Sequence, residues 1–357
     1  MKPPKPIRVL AVDDSPFFRK VLTDILGPRE DIELVGCAGD AYEARDRLAE
    51  TPVDVLTLDL EMPRMPGLTF LKLLMERKPM PVIVLSSHAP TGSQAAVDAL
   101  FSGAFAVLGK PQNLEHKGAF GDRLVQDIQR AASAPIRPRR PAMLESLTTS
   151  PMPRLGDPRQ IIALGASTGG TQALEEVLAM LPARLPGIVM VQHIPAGFSE
   201  SFAARLDRAC AMEVREARDG EVVRPGTALL APGDHHLEVR WFRDHYRVHL
   251  HDGPPVEHQR PSVDVLFNSL ARDAGPHVVA ALLTGMGRDG AAGMKRLHDR
   301  GAITLAQDAG SSVVYGMARK AIELHAVDTV APLEGLAAHI LKALDKTSPR
   351  STPTSHA

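Results

Sequence analysis

Residues 161–170 read IIALGASTGG, and this segment places a serine in an unusual setting. A run of apolar residues ends abruptly in glycines and small residues, and the following TQALEEVLAML has the apolar spacing of a helix. The segment therefore predicts a buried strand, a glycine-rich turn that carries Ser167, and a helix. A serine on such a turn can belong to a phosphate-binding loop, cap the helix or act as a nucleophile.

The glycines of this turn do not match the common phosphate-binding loops. A dinucleotide-binding fingerprint needs G-x-G-x-x-G, but Ser167 stands at the second glycine position, and a Walker loop needs a lysine that the segment lacks. Thr171 is a suitable N-cap for the helix, which would leave the hydroxyl of Ser167 unused. Because its neighbours are small, a substrate could approach that hydroxyl closely, and we favour the nucleophile.

A serine nucleophile needs a base, and the base needs an acid that orients it. His193 follows the apolar run GIVMVQ, and Asp289 follows the strand-like VVAALL and a glycine turn. The carboxyl ends of parallel strands meet at one edge of a sheet, so we expect Ser167, His193 and Asp289 to lie together. Other histidines compete for the role of base, chiefly His235, His236, His249 and His251.

Five apolar runs alternate with amphipathic helical patterns between residues 7 and 130. Near-continuous apolar strands alternating with helices are typical of a parallel sheet that is covered on both faces. The N-terminal part is therefore predicted to be a flavodoxin-like, five-stranded α/β domain.

The predicted strand ends of this domain carry polar side chains. The first strand ends in Asp13 and Asp14, the third in Asp59, the fourth in Ser86 and the fifth in Lys110. Three converging carboxylates would repel one another unless a cation neutralised them, and their oxygens suit Mg²⁺. Beside that cation, Lys110 and Ser86 could bind a phosphoryl group, which an aspartate can accept as a nucleophile.

Composition divides the chain into four regions. Residues 1–130 form the first α/β domain, and residues 131–158 form a Pro/Arg-rich flexible linker. Residues 159–345 form a second doubly wound, mainly parallel α/β domain, in which 213–253 is predicted to contribute an antiparallel β insertion. Residues 346–357 read as a disordered tail.

The overall composition excludes several classes of protein. A formal net charge of -1 argues against nucleic-acid binding and against attraction to a membrane surface. With only 2 cysteines, no disulfide framework is implied, and without paired cysteines or an H-E-x-x-H motif we expect no metal or other cofactor in the second domain. The sequence has neither a signal peptide nor an apolar run of about 18 residues, so we expect a cytoplasmic protein without membrane insertion. We also expect it to be a monomer.

The strand-end residues of the first domain resemble the receiver domain of two-component response regulators, over residues 7–130. The resemblance implies phosphorylation of Asp59 by a histidine kinase, and Mg²⁺ held by Asp13 and Asp59 with Asp14 assisting. It also implies phosphoryl contacts from Ser86 and Lys110. Receivers often carry an aromatic residue three positions before that lysine, whereas this sequence has Val107.

Residues 160–344 closely resemble the catalytic domain of the chemotaxis protein-glutamate methylesterase family. The motifs that carry the resemblance are GASTGG, VQHIPAGFSESFAARL, APGDHHLEV, PSVDVLFNSLA, LLTGMGRDGAAGM and AQDAGSSVVYGMARKAI. The resemblance implies that Ser167 is the nucleophile, that His193 acts as general base and then acid, and that Asp289 orients it. Thr168 would support the histidine, and the backbone N–H of Met286 would help to form the oxyanion hole. Ala318 stands where the family usually has proline.

The two resemblances together imply a hydrolase gated by phosphorylation. Its substrates would be glutamate methyl esters, and certain glutamines, on methyl-accepting chemoreceptors. We hypothesise that the unphosphorylated receiver packs over the edge that carries Ser167 and that phosphorylation of Asp59 opens it. Two alternatives remain from the sequence: a response regulator whose output domain only binds a partner, and the same chemistry on a receptor-like system outside chemotaxis.

Overall fold

The computed structural model describes residues 5–87, 94–111, 113, 117–133 and 157–347. The chain divides into two compact units, Met1–Arg140 and Pro141–Ala357. Residues 134–156 of the predicted linker and residues 348–357 of the predicted tail lie outside the described residues. The first three residues of the predicted linker continue a helix, and so do the first two of the predicted tail.

Within its described residues, the N-terminal unit is a five-stranded parallel sheet with five helices. Its strands are β1 (Ile7–Val12), β2 (Ile32–Ala38), β3 (Val55–Asp59), β4 (Val82–Ser86) and β5 (Ala106–Gly109). Its helices are α1 (Pro16–Leu26), α2 (Ala41–Glu50), α3 (Gly67–Arg77), α4 (Gln94–Phe101) and α5 (Lys117–Ser133). The order β2-β1-β3-β4-β5 is that of the flavodoxin-like fold, which the sequence predicted. Because the order reverses beside β1, a crevice forms at the carboxyl ends of β1 and β3.

The C-terminal unit is built on a seven-stranded sheet of order β14-β13-β12-β6-β7-β9-β8, in which every pair is parallel. The strands are β6 (Ile161–Ala166), β7 (Ile188–Gln192), β8 (Glu213–Glu216), β9 (Thr227–Leu230), β12 (Val278–Leu282), β13 (Ile303–Gln307) and β14 (Thr329–Ala331). The helices are α6 (Gly170–Ala179), α7 (Ser199–Ala209), α8 (Val263–Asp273), α9 (Ala291–Asp299), α10 (Met317–Glu323) and α11 (Leu333–Thr347). The central strand β6 is buried along its whole length, and the strand order reverses there, between β12 and β7.

The antiparallel prediction for residues 213–253 holds for only half of that segment. The strands β10 (His236–Phe242) and β11 (His245–His251) form an antiparallel hairpin. The preceding strands β8 and β9 instead extend the parallel sheet. The fully buried run of β9 explains the difference, because a strand buried on both faces belongs inside a parallel sheet.

The hairpin matters for the site because it packs against α8. Leu237 and Val239 of the hairpin share one buried core with Phe267 and Leu270 of α8. This packing fixes the helix whose N-terminus reaches the carboxyl edge of the sheet. None of the helices within the described ranges combines the length and the apolar character needed to cross a bilayer.

Candidate active site

Ser167 occupies a tight turn between β6 and α6. Its backbone N–H donates to the carbonyl of Thr284 (3.0 Å), and its own carbonyl accepts from the N–H of Gly170 (2.7 Å). Gly169 adopts a left-handed conformation (φ +76°), and a Cβ there would lie 2.6 Å from Val313. Because this glycine makes the turn, α6 begins directly after it, and Thr171 lies buried within the first helical turn. The prediction that Thr171 is the N-cap is therefore wrong.

His193 directly follows β7, the neighbour of β6, and its ring lies between Ser167 and Asp289. Its Nδ1 is 3.0 Å from Ser167 Oγ, and its Nε2 is 2.7 Å from Asp289 Oδ2. A buried carboxylate can only accept, so Nε2 carries the proton and Nδ1 offers a lone pair to the serine hydroxyl. The chain of contacts is that of a serine hydrolase triad, with the two ring nitrogens in the opposite order from chymotrypsin.

Asp289 is buried, and the N-terminus of α8 surrounds its carboxylate. Oδ1 accepts from the hydroxyl of Ser262 (2.7 Å) and the N–H of Asp264 (3.0 Å), and Oδ2 accepts from the N–H of Val263 (2.7 Å). Burial by itself would raise the pKa of Asp289, but the hydrogen bond and charge of His193 and the α8 donors bring it below its ordinary value. The carboxylate is thus held ionised beside the histidine.

Asp264 makes the reverse contact, from α8 to α9. Its Oδ1 accepts from the backbone N–H of Gly293 at 2.6 Å. Burial raises the pKa of Asp264 to about 6, and the nearby Asp289 charge adds to this effect. Asp289, from the loop before α9, therefore caps α8. Asp264, from the first turn of α8, caps α9.

The two remaining predicted residues lie beside the nucleophile. The carbonyl of Thr168 accepts from the hydroxyl of Thr284 (2.9 Å), while its own hydroxyl makes no hydrogen bond to His193 in the described part of the chain. A Cβ on Gly285, the residue before Met286, would lie 2.8 Å from Ser167 Cβ. Met286 is 38% exposed, and its backbone N–H has no backbone partner among the described residues.

Sequence reasoning missed several supporting residues. Ser262 could have been found as an N-cap, because it precedes an apolar-periodic helix, but its bond to Asp289 spans 27 positions. Gln192 donates to the carbonyls of Ser167 and His193, and Gln307 accepts from the N–H of Thr284. No local motif signals either contact.

The competing histidines have other partners. His235 pairs with Asp252 and His249 with Asp219, both near the surface. Buried His236 accepts from the N–H of Ser262 through Nδ1 and reaches the carbonyl of Pro254 through Nε2. Burial lowers the pKa of His236, which fits a neutral ring that supports the start of α8.

The N-terminal unit gathers its predicted residues at the carboxyl ends of β1, β3, β4 and β5. Lys110 Nζ lies 2.7 Å from Asp13 Oδ2 and 2.7 Å from Asp59 Oδ2. Asp14 lies at the exposed side of this pair, and the three acids can bring one oxygen each within 4.8 Å of one another. Ser86 ends β4, and its carbonyl accepts from the N–H of Lys110 (2.9 Å).

In this cluster of the N-terminal unit, three carboxyl groups face a single ammonium group, that of Lys110. Burial raises the pKa of both Asp13 and Asp59, although hydrogen bonds from Lys110 partly oppose it. Burial would lower the pKa of Lys110, but its hydrogen bonds to both acids raise it overall. Carboxylate oxygens at this spacing match the hard ligand set that Mg²⁺ prefers. Among the described residues this is the only group of three metal-ligating side chains. Val107 is buried within β5.

Comparison with known proteins matches both units. The CheB methylesterase family model matches residues 162–340, and the response regulator receiver domain model matches residues 9–117. A protein-glutamate methylesterase/protein-glutamine glutaminase 2 of Pseudomonas aeruginosa is 48% identical over 339 residues, which cover 94% of this chain and 97% of that protein. A protein-glutamate methylesterase/protein-glutamine glutaminase of Salmonella typhi is 45% identical, covering 94% and 96%.

One solved structure agrees for the catalytic part. The crystal structure of the Thermotoga maritima CheB methylesterase catalytic domain is 35% identical, with a TM-score of 0.50, and the match covers 51% of this chain and 97% of that one. With the sequence relatives matching nearly end to end, the chain belongs to the CheB methylesterase family and carries a response regulator receiver domain ahead of its catalytic domain.

Proposed function

We propose that this protein is a phosphorylation-activated serine hydrolase that demethylates glutamate methyl esters, and deamidates specific glutamines, on methyl-accepting chemoreceptors. This activity resets receptor output and so gives sensory adaptation. The observation that carries the proposal is the continuous chain from Ser167 Oγ through His193 to Asp289, with contacts of 3.0 and 2.7 Å.

In the first half of the reaction, His193 Nδ1 takes the proton of Ser167 as Oγ attacks the ester carbonyl carbon. The imidazolium that forms is stabilised by ionised Asp289, which accepts from Nε2. Donors next to the serine, with the Met286 N–H proposed as one, stabilise the negative oxygen of the tetrahedral intermediate. The intermediate collapses when the C–O bond to the methoxy group breaks and His193 gives its proton to that oxygen, which releases methanol.

In the second half, a water molecule attacks the acyl carbon while His193 Nδ1 accepts its proton. The bond to Ser167 Oγ then breaks, His193 returns the proton to the serine, and a glutamate side chain is released. A glutamine substrate passes through the same acyl-enzyme, with ammonia leaving instead of methanol. One set of residues thus supports both activities.

The receiver supplies the control. A histidine kinase is the proposed phosphodonor, and a carboxylate oxygen of Asp59 displaces the kinase histidine at phosphorus. Asp13 and Asp59, with Asp14 assisting, would hold Mg²⁺, which when bound neutralises charge on the incoming phosphoryl oxygens. Lys110, which lies 2.7 Å from Asp59, and Ser86 would contact those oxygens.

We place this reaction in the cytoplasm, where a histidine kinase and the cytoplasmic parts of receptors are available. Two free cysteines, Cys37 and Cys210, fit a reducing compartment. A net charge of -1 gives no support for nucleic-acid binding. A monomer is the proposed active form.

The test measures methanol release from a methylated chemoreceptor cytoplasmic fragment, with and without a small-molecule phosphodonor. Wild type should release methanol, faster with the donor, whereas Ser167→Ala should be slower by on the order of 10⁴-fold or more. Ser201→Ala, a serine replacement elsewhere in the same unit, serves as the matched control and should behave as wild type. Asp59→Asn should keep the basal rate and lose the response to the donor.

Two outcomes would contradict the proposal. Equal rates in wild type and Ser167→Ala would remove the serine from the chemistry. Failure of wild type on methylated receptors from several sources would favour an output domain that only binds its partner.

A further inference from the structure

We propose that Gln192 is a positioning residue for this hydrolysis, an inference that rests on the function proposed above. Its carboxamide would set the separation between nucleophile and base by holding the backbone of both. Gln192 approaches no reacting atom in this scheme and would act only through Ser167 and His193.

The geometry is a bridge across two neighbouring strand ends. Gln192 is the last residue of β7 and lies opposite Ala166, the last residue of β6. Its Nε2 donates to the carbonyl of Ser167 at 2.8 Å and to the carbonyl of His193 at 3.1 Å. Gln192 is 3% exposed, so water cannot easily replace these two bonds. One nitrogen thus links the backbone of the nucleophile to that of the base.

The chemistry of the site selects a primary amide. Two carbonyl oxygens must be served by two N–H groups on one atom, and among uncharged side chains only Asn and Gln carry such a group. The two acceptors also decide which way the amide points, because the flipped amide would set its oxygen against both carbonyls. The bridge therefore depends on the amide nitrogen of Gln192.

This orientation of the amide leaves its oxygen in an unfavourable environment. Gln192 Oε1 is buried and makes no hydrogen bond within the described residues. It lies against Gly170, where an added Cβ would be 2.2 Å from that oxygen. A buried acceptor without a partner is unfavourable, and the two bonds on the nitrogen side offset it. The close approach also explains why the first residue of α6 is a glycine.

The bridge matters because the residues whose carbonyls it holds, Ser167 and His193, also carry the reacting atoms. Ser167 Oγ and His193 Nδ1 are 3.0 Å apart, and a backbone bond from His193 N–H to the Ala166 carbonyl (3.1 Å) also joins these strand ends. Misplacement of catalytic groups by about 1 Å can reduce a rate by about 10²-fold. Removing the bridge should therefore lower kcat without removing any catalytic group.

The first experiment compares Gln192→Met with Gln160→Met in the full-length, phosphodonor-treated protein. Gln160 is a matched control, because it is also buried and donates through Nε2 to Leu344 and Thr347, but it precedes β6 at the opposite end of the sheet. Gln192→Met should lower kcat for methanol release by about tenfold to a hundredfold, with KM within about twofold of wild type. Gln160→Met should lower the melting temperature comparably and leave kcat within about twofold.

A second variant gives a readout that loss of packing would not move. In Gln192→Glu, the ionised carboxylate would face two carbonyls with acceptors only, whereas the protonated carboxyl group would regain one donor. Burial raises the pKa of a carboxyl group, so the comparison runs from about pH 9 to about pH 6. The rate of Gln192→Glu relative to wild type should rise by about tenfold as the pH falls, the equivalent of one hydrogen bond. The ratio for Gln160→Glu should stay flat while circular dichroism shows both variants folded.

Labelling of Ser167 by a fluorophosphonate separates this inference from the proposed substrate. The labelling rate of wild type tests the nucleophile without any receptor, and Gln192→Met should lower it by the same factor as kcat. A wild type that is labelled but releases no methanol would overturn the proposed substrate, and the labelling rates would then decide the role of Gln192. Unchanged kcat and labelling in Gln192→Met, or a flat pH ratio for Gln192→Glu, would overturn the role proposed for Gln192.

Discussion

A buried carboxylate keeps its charge in the active site because His193 and the donors at the start of α8 surround it. Asp289 receives three hydrogen bonds from the start of α8, and the positive end of that helix favours the ionised form. An ionised Asp289 fixes the proton of His193 on Nε2, which leaves Nδ1 free to accept from Ser167. The charge on one carboxylate therefore determines the tautomer of the base.

Asp264 is the second buried acid of this site, and its pKa is shifted upward, whereas that of Asp289 is shifted downward. Its pKa is raised to about 6 from 3.8, so between these pH values the folded protein keeps a proton that the unfolded chain has lost. The contribution of Asp264 to the free energy of unfolding should therefore fall as pH rises through this window and stay constant above it. Asn cannot ionise, so Asp264→Asn should gain roughly 3 kcal/mol relative to wild type between about pH 4 and about pH 7.

Urea unfolding followed by tryptophan fluorescence measures this difference. The single tryptophan, Trp241, lies in the C-terminal unit and reports on it alone. Asp207→Asn provides a control acid elsewhere in that unit. A stability difference between Asp264→Asn and wild type that does not change with pH would show that Asp264 has an ordinary pKa.

At the scale of elements, the site depends on the packing of α8 against α9. The loop before α9 supplies Asp289 to α8, and the first turn of α8 supplies Asp264 to α9. Gly293 allows this close approach, since a Cβ there would lie 2.7 Å from Phe267 Cβ and 3.1 Å from Asp264 Oδ1. The contacts of Asp289 with α8 and of Asp264 with α9 require this short separation between the two helices.

Gly293→Ala should therefore separate the two helices. Alanine favours a helix by about 1 kcal/mol, but overpacking costs about 1–3 kcal/mol, so the variant should be less stable. Methanol release should fall by about tenfold, because Asp289 moves with the loop. Gly335→Ala in α11 is the control: its Cβ would meet Pro332 at an ordinary 3.7 Å, and it should gain about 0.5–1 kcal/mol with unchanged activity. Full activity in Gly293→Ala would mean that the helix separation does not position Asp289.

The elements also show what could be predicted from the sequence. Apolar runs that end in polar residues identified the strand ends, so the expectation that Ser167, His193 and Asp289 lie together followed from parallel topology alone. The residues that hold the catalytic residues in place do so through contacts between distant segments, such as that of Ser262 with Asp289, and no local pattern encodes these contacts. For the same reason the sequence left open which ring nitrogen of His193 faces the serine. The sequence predicted antiparallel strands throughout residues 213–253, whereas β8 and β9 pair in parallel, because alternation and turn residues do not determine strand direction.

At the scale of the molecule, each unit has its own hydrophobic core. One core joins α1 and α5 to the five-stranded sheet, and another joins α8, α9 and the hairpin to the seven-stranded sheet. Each unit therefore contains what it needs to fold alone. The catalytic set lies wholly in the second unit and the phosphorylation cluster wholly in the first, so control must pass from one unit to the other.

Because the catalytic set and the phosphorylation cluster lie in different units, the effect of the receiver can be tested by removing it. If the unphosphorylated receiver restrains the catalytic unit, residues 157–347 alone should release methanol about tenfold faster than the unphosphorylated full chain. The isolated unit should ignore the phosphodonor, and the full chain should approach its rate when the donor is added. Asp59→Asn in the full chain should stay at the restrained rate, which controls for direct effects of the donor. Removing a restraint must raise the rate, even in an isolated unit that lacks the receiver and its Asp59. An isolated unit that is folded but no faster than the unphosphorylated chain would therefore mean that the phosphorylated receiver activates catalysis directly.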